Sequence, residues 1–378
     1  MKKLFFAALP FLIISCSEKS SEEDSNSNKT SFSQNFTVAI TDTIMVDAGE
    51  EIIYMASQFR ITDISDDRKW YYNYNEKENS IEVIHLDEAK LERKIHFEKE
   101  GPNGTGNVGY IDFAGPELLL INGNRLVQVF NSNGKKLKHL RLDNEHLEGD
   151  SLVDGEYVSL IGALSDDGQF YYSTYMKDFG EPLGIAIVDL TNQTLTKRPI
   201  EGIDAIKAFQ IKYENGLEKM VISPSFYFSK KGNQVLMSNS VINELFVYDI
   251  SKDETRHFTY ESTFLKNKNA EPSRNEVNSQ KELTVLFQKH RNKISLQQLI
   301  PDPTNKRYYR ISSGENKGGN QNSKILTVFD EQFQQVFETD EIDYKGYMGA
   351  CFVKEDKIYI LENIEDELAF VIMEIKEI

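Results

Sequence analysis

Asp167-Gly168-Gln169-Phe170-Tyr171-Tyr172 joins a turn to a strand-forming aromatic run, and the chain repeats this arrangement. Lys69-Trp70-Tyr71-Tyr72 follows Asp66-Asp67, Glu117-Leu118-Leu119-Leu120 follows Gly115-Pro116, and Gln234-Val235-Leu236-Met237 follows Gly232-Asn233. Arg307-Tyr308-Tyr309-Arg310 follows Pro303-Thr304-Asn305, and Lys357-Ile358-Tyr359-Ile360 follows Asp356. Asp, Asn, Gly and Pro bend the backbone, and the aromatic and aliphatic residues after them suit a buried strand. The centres Tyr71, Leu119, Tyr171, Leu236, Tyr309 and Tyr359 lie 48, 52, 65, 73 and 50 residues apart. That period signals one supersecondary unit used six times, with room for insertions.

A second apolar segment follows each run: Ile81 to Leu86, Leu126 to Asn131, Ile185 to Asp189, Leu245 to Asp249, Ile325 to Asp330 and Phe370 to Ile375. Most then meet a turn, plainest at Ser132-Asn133-Gly134, and a polar strand such as Lys136 to Leu142 or Glu254 to Tyr260. Ahead of each turn stands a third type: Phe59 to Ile64, Gly109 to Phe113, Val158 to Gly162, Phe226 to Phe228, Leu296 to Ile300 and Gly349 to Val353. Small residues recur there, as strands crowded round an axis require, whereas polar strands suit an outer edge facing water. The expected fold class is all-β, a six-bladed β-propeller.

The sixth unit ends at Ile378, directly after its third strand. Phe36-Thr37-Val38-Ala39-Ile40 and Thr43-Ile44-Met45-Val46 are strand formers ahead of the first unit, and are expected to close the last blade from the N-terminal side. Two stretches break the period. Ser279-Gln280-Lys281-Glu282 reads as a capping box opening a short helix, with Leu283, Leu286, Phe287, His290 and Ile294 on one face of an insertion spanning about 262–294. Ile206 to Ile222, with Asn215-Gly216 at its middle, reads as an extra hairpin or as plain drift in loop length.

The chain opens with Lys2-Lys3, an apolar run from Leu4 to Ile14, then Ser15-Cys16. A charged start, a short apolar stretch and a small residue form a secretory signal over residues 1–15, and the cysteine after it resembles the lipobox of bacterial lipoproteins. The run is well short of the roughly 20 residues a spanning helix needs. The resemblance implies a thioether-linked lipid on Cys16, and Ser17 beside it implies the outer membrane. Residues 16–33 hold almost nothing apolar and read as a disordered tether, leaving 34–378 as the propeller. Glu22-Glu23-Asp24 resembles the acidic signal that sends Bacteroidetes lipoproteins to the cell surface; a soluble linker would read the same way.

The formal net charge is −17, and becomes −19 once Lys2 and Lys3 leave with the signal. Such a surface repels phosphate backbones, so nucleic acid is not an expected partner. With Cys16 lipidated, Cys351 has no disulfide partner and reads as an inert buried residue between Ala350 and Phe352.

No catalytic motif stands out. His85, His96, His139, His146, His257 and His290 lack the paired spacing of a zinc site. Gly101-Pro102-Asn103-Gly104-Thr105-Gly106 lacks the lysine and following helix of a phosphate loop. No Gly-x-Ser-x-Gly elbow occurs. Neither a cofactor nor a metal is expected. Asp63 and Asp112 fall on innermost strands and are candidates for lining a central channel. Asp302 and Arg310 are candidates for a ligand site or for a bridge to each other. Period-two alternation puts Tyr308 and Arg310 on one face of their strand and Tyr309 on the other.

Asp302-Pro303 with Arg307-Tyr308-Tyr309-Arg310, taken with the tether and the six units, resembles the Bacteroidetes lipoproteins grouped as domain of unknown function 4221, among the six-bladed TolB-like propellers. The resemblance covers nearly the whole mature chain and implies a fold but no activity. The expected function is a lipid-anchored binding or scaffold protein of the cell envelope, presenting one propeller face to a protein, peptide or glycan. The alternative is a metal-dependent hydrolase or lyase whose site sits in the axial channel.

Overall fold

The computed structural model describes residues 32–378, apart from 56–60, 116, 124, 217, 292–293, 315–322, 347, 349 and the side chains of 290 and 291. The signal, Cys16 and nearly all of the tether lie outside the described residues, as do Phe59 and Gly349 of the expected inner strands.

Six antiparallel sheets follow one another along the chain, each a meander in which neighbours in sequence pair. The first holds Thr62–Ile64, Trp70–Asn75, Ser80–His85 and Lys90–His96. The second holds Tyr110–Ala114, Leu118–Gly123, Leu126–Asn131 and Lys136–Arg141. The third holds Glu156–Leu164, Phe170–Lys177, Glu181–Asp189 and Thr194–Pro199, and the short strand Glu148–Gly149 joins its outer edge in parallel. The fourth holds Phe226–Lys231, Gln234–Asn239, Glu244–Asp249 and Glu254–Thr259. The fifth holds Ile300–Asp302, Arg307–Ser313, Lys324–Phe329 and Gln335–Thr339. The sixth draws Cys351–Lys354, Lys357–Ile364 and Glu367–Glu377 from the end of the chain and its outer strand, Phe36–Met45, from the beginning. Phe36 lies opposite Glu377 and Met45 opposite Ala369, as the strand formers ahead of the first unit led us to expect.

The aromatic runs are continuous rather than alternating because the middle strands are covered on both faces. Successive side chains point to opposite faces, so each run serves two interfaces. Tyr71 packs with Phe352 and Phe370 of the sixth sheet, while Tyr72 packs with Ile111 and Leu119 of the second. The Tyr72 and Phe113 rings stack with centroids 3.6 Å apart. The pattern then repeats. Leu120 meets Tyr171, Tyr172 meets Val235, Leu236 meets Tyr308, and Tyr309 meets Ile358. Each fully buried side chain of this size stabilises the fold by about 1.5–3 kcal/mol relative to exposure.

At the end of four of the six third strands an acid or amide has a local purpose. Asn131, Asp189, Asp249 and Asp330 turn a side-chain oxygen onto the backbone N–H groups two and more residues on, fixing the next turn. Fourth strands such as Glu254–Thr259 are mostly exposed and polar, which protects a sheet edge from pairing elsewhere.

Two expectations need correction, and a third is met in part. The innermost strand of the fifth sheet is Ile300–Asp302, not Leu296 to Ile300, because Leu296 turns away to pack with Leu265, Ile294 and Ile325. The short helix expected in the 262–294 insertion is present at Gln280–Arg291, with Leu283 and Leu286 buried as expected. Phe287 is 43% exposed and Ile294 belongs to a different cluster, so the expected single face is broken; the His290 side chain lies outside the described residues.

The two insertions meet. Ile211–Glu214 and Lys219–Ile222 form a hairpin about Asn215-Gly216, and Glu276–Val277 adds to it in parallel. Leu283 and Leu286 of the helix pack on Ile211, Tyr213 and Val277. Ser279 Oγ accepts the Glu282 N–H at 3.3 Å, half of the expected capping box. A 3-10 helix, Ile203–Phe209, seats this accessory sheet on Val241 and Ile242 of the fourth meander.

Candidate functional site

Innermost strands lie side by side: Thr62–Ile64 beside Tyr110–Ala114, that strand beside Glu156–Leu164, and Glu156–Leu164 beside Phe226–Lys231. Asp63 and Asp112 sit on the first two. Asp63 Oδ2 accepts the N–H of Phe113 at 2.7 Å, and Asp112 accepts that of Leu164, so each carboxyl fastens its strand to the next. Burial pushes Asp63 up to about 7 against the pull of those N–H donors. Burial and the Asp63 charge raise Asp112 well above the carboxylate range. Two acids this close and this poorly solvated resist holding two charges at once. The phenol of Tyr110, buried beside both, is held protonated as well.

Three cations share that end, and none was singled out from the sequence. Arg68 closes the turn between the first two strands of the first sheet, Lys230 and Lys231 end the innermost strand of the fourth. Lys230 Nζ pairs with Asp166 at 3.0 Å. Burial lowers the pKa of Arg68, and burial together with the Arg68 charge lowers that of Lys231. The signal available in the sequence was the position of these residues beside the turns; nothing local showed that they would share one end of the fold.

Asp302 and Arg310 do not bridge each other. Asp302, 1% exposed, spends both oxygens on its own turn: Oδ1 accepts the N–H groups of Thr304 and Asn305, and Oδ2 accepts Asn305 Nδ2 and the Tyr309 hydroxyl. Arg310 lies on the other face of the next strand, 2% exposed, donating to Asn243 Oδ1 at 2.6 Å and lying over the rings of Tyr260 and Phe329. Burial holds its pKa down to about 10. Tyr308 packs on the same interface as Arg310 and Tyr309 on the opposite one, as alternation requires.

The opposite end differs in kind. Tyr227, Gln297, Gln298, Ile300, Ile311, Met348 and Cys351 line a cavity of about 100 Å³ without a charged group. Tyr227 donates to Gln297 Oε1 at 3.0 Å. Cys351 is half-buried rather than buried, its thiol pushed up to about 12 by desolvation and directed at the Met348 carbonyl. Elsewhere, Asp143, Glu145 and His146 bring three potential metal ligands within 4.8 Å, but Asp143 already accepts His146 Nδ1 at 2.6 Å and the Glu145 N–H, a capped surface turn.

A family model described as domain of unknown function (DUF4221) matches residues 33–340. The crystal structure of a DUF4221 family member from Bacteroides vulgatus superposes with a TM-score of 0.67 at 16% identity, covering 92% of this chain and all of that one. A putative exported protein from Bacteroides fragilis superposes with a TM-score of 0.53 at 9% identity, over 90% of this chain and 95% of that one. The β-propeller domain of Myceliophteria thermophila Cps50 gives 0.41 at 9% identity, over 89% and 98%. No curated protein matches the sequence. The fold is all-β and propeller-like, and the chain belongs to the DUF4221 family.

Proposed function

We propose that this chain is a closed six-bladed β-propeller, tethered to the outer membrane by lipid on Cys16, that presents one face to a protein partner in the cell envelope. Two features support the ring: each sheet packs against the next, and the strands Phe36–Met45 and Glu367–Glu377 share the last sheet. Closure leaves no sheet face open to water.

The observation that carries the binding reading is the placement of exposed apolar side chains. In an antiparallel meander, the connections from outer to next inner strand share an end with the turns between second and third strands. Seven of the twelve exposed large apolar side chains among the described residues, Ile52, Val153, Phe179, Met220, Phe264, Val285 and Phe287, lie on such connections or turns; Ile40, Met45, Leu137, Ile161 and Ile378 do not. The accessory sheet and the uncharged cavity are on that end too. Contiguous apolar surface marks an interaction site, and this end holds the larger share of the exposed apolar side chains from which such a patch could form. The tether would leave that face free to meet a neighbouring envelope protein.

Crosslinking in intact cells, followed by identification of the attached species, tests this. A defined partner whose capture falls on Met220→Ser with Phe287→Ser supports the face; capture unchanged by both substitutions removes it. Protease shaving of intact cells tests surface exposure separately, and full protection would place the domain on the periplasmic side. The rival metal-dependent hydrolase requires that purified protein bind calcium or zinc stoichiometrically, with loss of the ion on Asp63→Asn and Asp112→Asn.

A further inference from the structure

The accessory sheet runs in the order Lys219–Ile222, Ile211–Glu214, Glu276–Val277, so Lys219–Ile222 is an edge strand. Two hydrogen bonds fix which of its backbone groups face outward. The Asn215 N–H donates to the Glu218 carbonyl and closes the hairpin, while the Lys212 N–H donates to the Asn275 carbonyl on the far side, at 2.7 Å. Bonded and non-bonded pairs alternate along an antiparallel ladder. Tyr213 with Met220 and Ile211 with Ile222 are therefore the bonded pairs, and the N–H and C=O groups of Lys219 and Val221 point away from the hairpin. Among the described residues no backbone group meets them.

The side chains of this strand add an apolar ledge. Residues opposite one another share a face, so Met220 stands beside Tyr213 and Ile222 beside Ile211. Tyr213 and Ile211 are buried against Leu283 and Leu286 of the helix, which lies over Ile211–Glu214 and Glu276–Val277. On the same face Met220 is left 47% exposed and Ile222 only partly buried.

The outer edges of the six meanders are guarded, and this one is not. Lys90–His96, Lys136–Arg141 and Glu254–Thr259 are rich in charge. Thr194–Pro199 is covered by Glu148–Gly149, Gln335–Thr339 accepts the Gln34 N–H at Val336, and Phe36–Met45 is broken by a bulge between Ile40 and Asp42. Charges, cover and bulges all discourage pairing with another chain. Lys219–Ile222 has only Lys219, whose charge already pairs with Glu214 at 2.7 Å.

Charge narrows what can fill the edge. Residues 262–294 hold seven lysines and arginines against three glutamates, in a chain of net charge −17. Lys268 and Arg274 are paired with Glu271 and Glu282. Lys281 and Lys289, with Val285 between them, follow one exposed helical face at intervals of four residues and have no ion pair among the described residues. A local excess of positive charge on an acidic protein steers acidic segments here and away from the rest of the surface.

We infer that Lys219–Ile222 is where an extended, acidic segment of a partner protein adds as a further strand of the accessory sheet. The backbone groups of Lys219 and Val221 supply the pairing, and alternate apolar side chains of the added strand cover Met220 and Ile222 and so set its register. This rests on the reading that this end of the fold meets a protein, and it specifies what that protein presents.

The probe is a labelled ten-residue peptide alternating valine with glutamate, titrated into the purified chain and read by anisotropy, with hydrogen–deuterium exchange followed at the Lys219 and Val221 amides. Saturable binding is expected, with exchange at those two amides slowed at least tenfold, and a peptide with lysine in place of glutamate should bind at least tenfold more weakly. Val221→Pro removes an outward N–H without touching the bonds to Ile211–Glu214, and should weaken binding at least tenfold. Lys219→Pro does the same should the first variant misfold, and Met220→Ser should cost at least threefold. No saturable binding, equal binding of the lysine peptide, or binding that both proline variants leave within twofold overturns the site. Adsorption to phosphatidylglycerol–phosphatidylcholine vesicles without binding of the peptide would assign the surface to lipid and overturn it too. In intact cells, partner capture that falls with Phe287→Ser but not with Val221→Pro overturns the strand site alone, whereas capture indifferent to both removes the face itself.

Discussion

The two ends of the innermost strands contrast. At the turn end, Asp63, Asp112, Arg68, Lys230 and Lys231 crowd together on short hairpins, and chemistry is concentrated where the backbone is most regular. At the other end, where long connections and the accessory sheet stand, the cavity by Tyr227 and Cys351 carries no charge, and seven large apolar side chains are exposed. The contrast has a physical origin. Tight turns of five residues or fewer hold polar side chains at fixed positions, so charges there are desolvated and act on one another. Long connections have freedom to add elements, and the surface they add is shaped for contact.

The largest expected effect lies at the uncharged end. Ile311→Ala enlarges a cavity already about 100 Å³ and removes packing between the fifth and sixth sheets. A loss of about 2–4 kcal/mol in denaturant unfolding is expected; a loss below about 1 kcal/mol would mean this end is loosely packed and blur the contrast.

Next comes the acid pair. A carboxyl whose pKa is raised on folding stabilises the fold fully below its unfolded value, and that contribution is lost as pH rises through the folded value. With Asp63 near 7 and Asp112 also raised, stability should fall between about pH 4 and pH 7. Asp63→Asn with Asp112→Asn should flatten that slope and stabilise the protein at neutral pH by roughly 1–3 kcal/mol. An unchanged pH profile would show that the two acids are well solvated.

A smaller effect, of opposite sign to most substitutions, is expected at Arg68. Arg68→Gly relieves a left-handed arginine and a partly buried charge, offset by the greater freedom of glycine in the unfolded chain. Thermal or urea unfolding should show a gain of roughly 0.5–1 kcal/mol. A loss would mean that Arg68 braces the fold, and the charged end would then be structural.

Smallest of all, Phe287→Ser and Met220→Ser should change stability by less than about 0.5 kcal/mol, because both side chains are already exposed. A larger loss would show these residues to be buried in solution by the accessory sheet and not displayed to a partner.

Much of the strand pattern could be read from residue order. Each aromatic run, each turn ahead of it and each polar outer strand is a local pattern, because strand burial leaves its mark every residue or every second residue. Even the closing strand was legible, since a unit lacking its last strand and a pair of unattached strand formers imply each other. The accessory sheet was half legible. Its hairpin and helix show in Asn215-Gly216 and Ser279-Gln280-Lys281-Glu282, but their union through Glu276–Val277 depends on a parallel pairing between distant segments. Phe287 was misplaced because helical periodicity tells which residues share a face, not how wide a face its neighbour covers.

Sequence by itself settled the family, the all-β class, the order of the strands and the candidacy of Asp63 and Asp112, because these follow from spacing and side-chain type along the chain. Only the tertiary structure decided that Asp302 serves its own turn, that Arg310 lies buried over two rings, and that Asp63 and Asp112 each fasten a strand to the next sheet. Electrostatic and packing partners are set by distance through space, and the meeting of strands from different sheets has no counterpart in local periodicity.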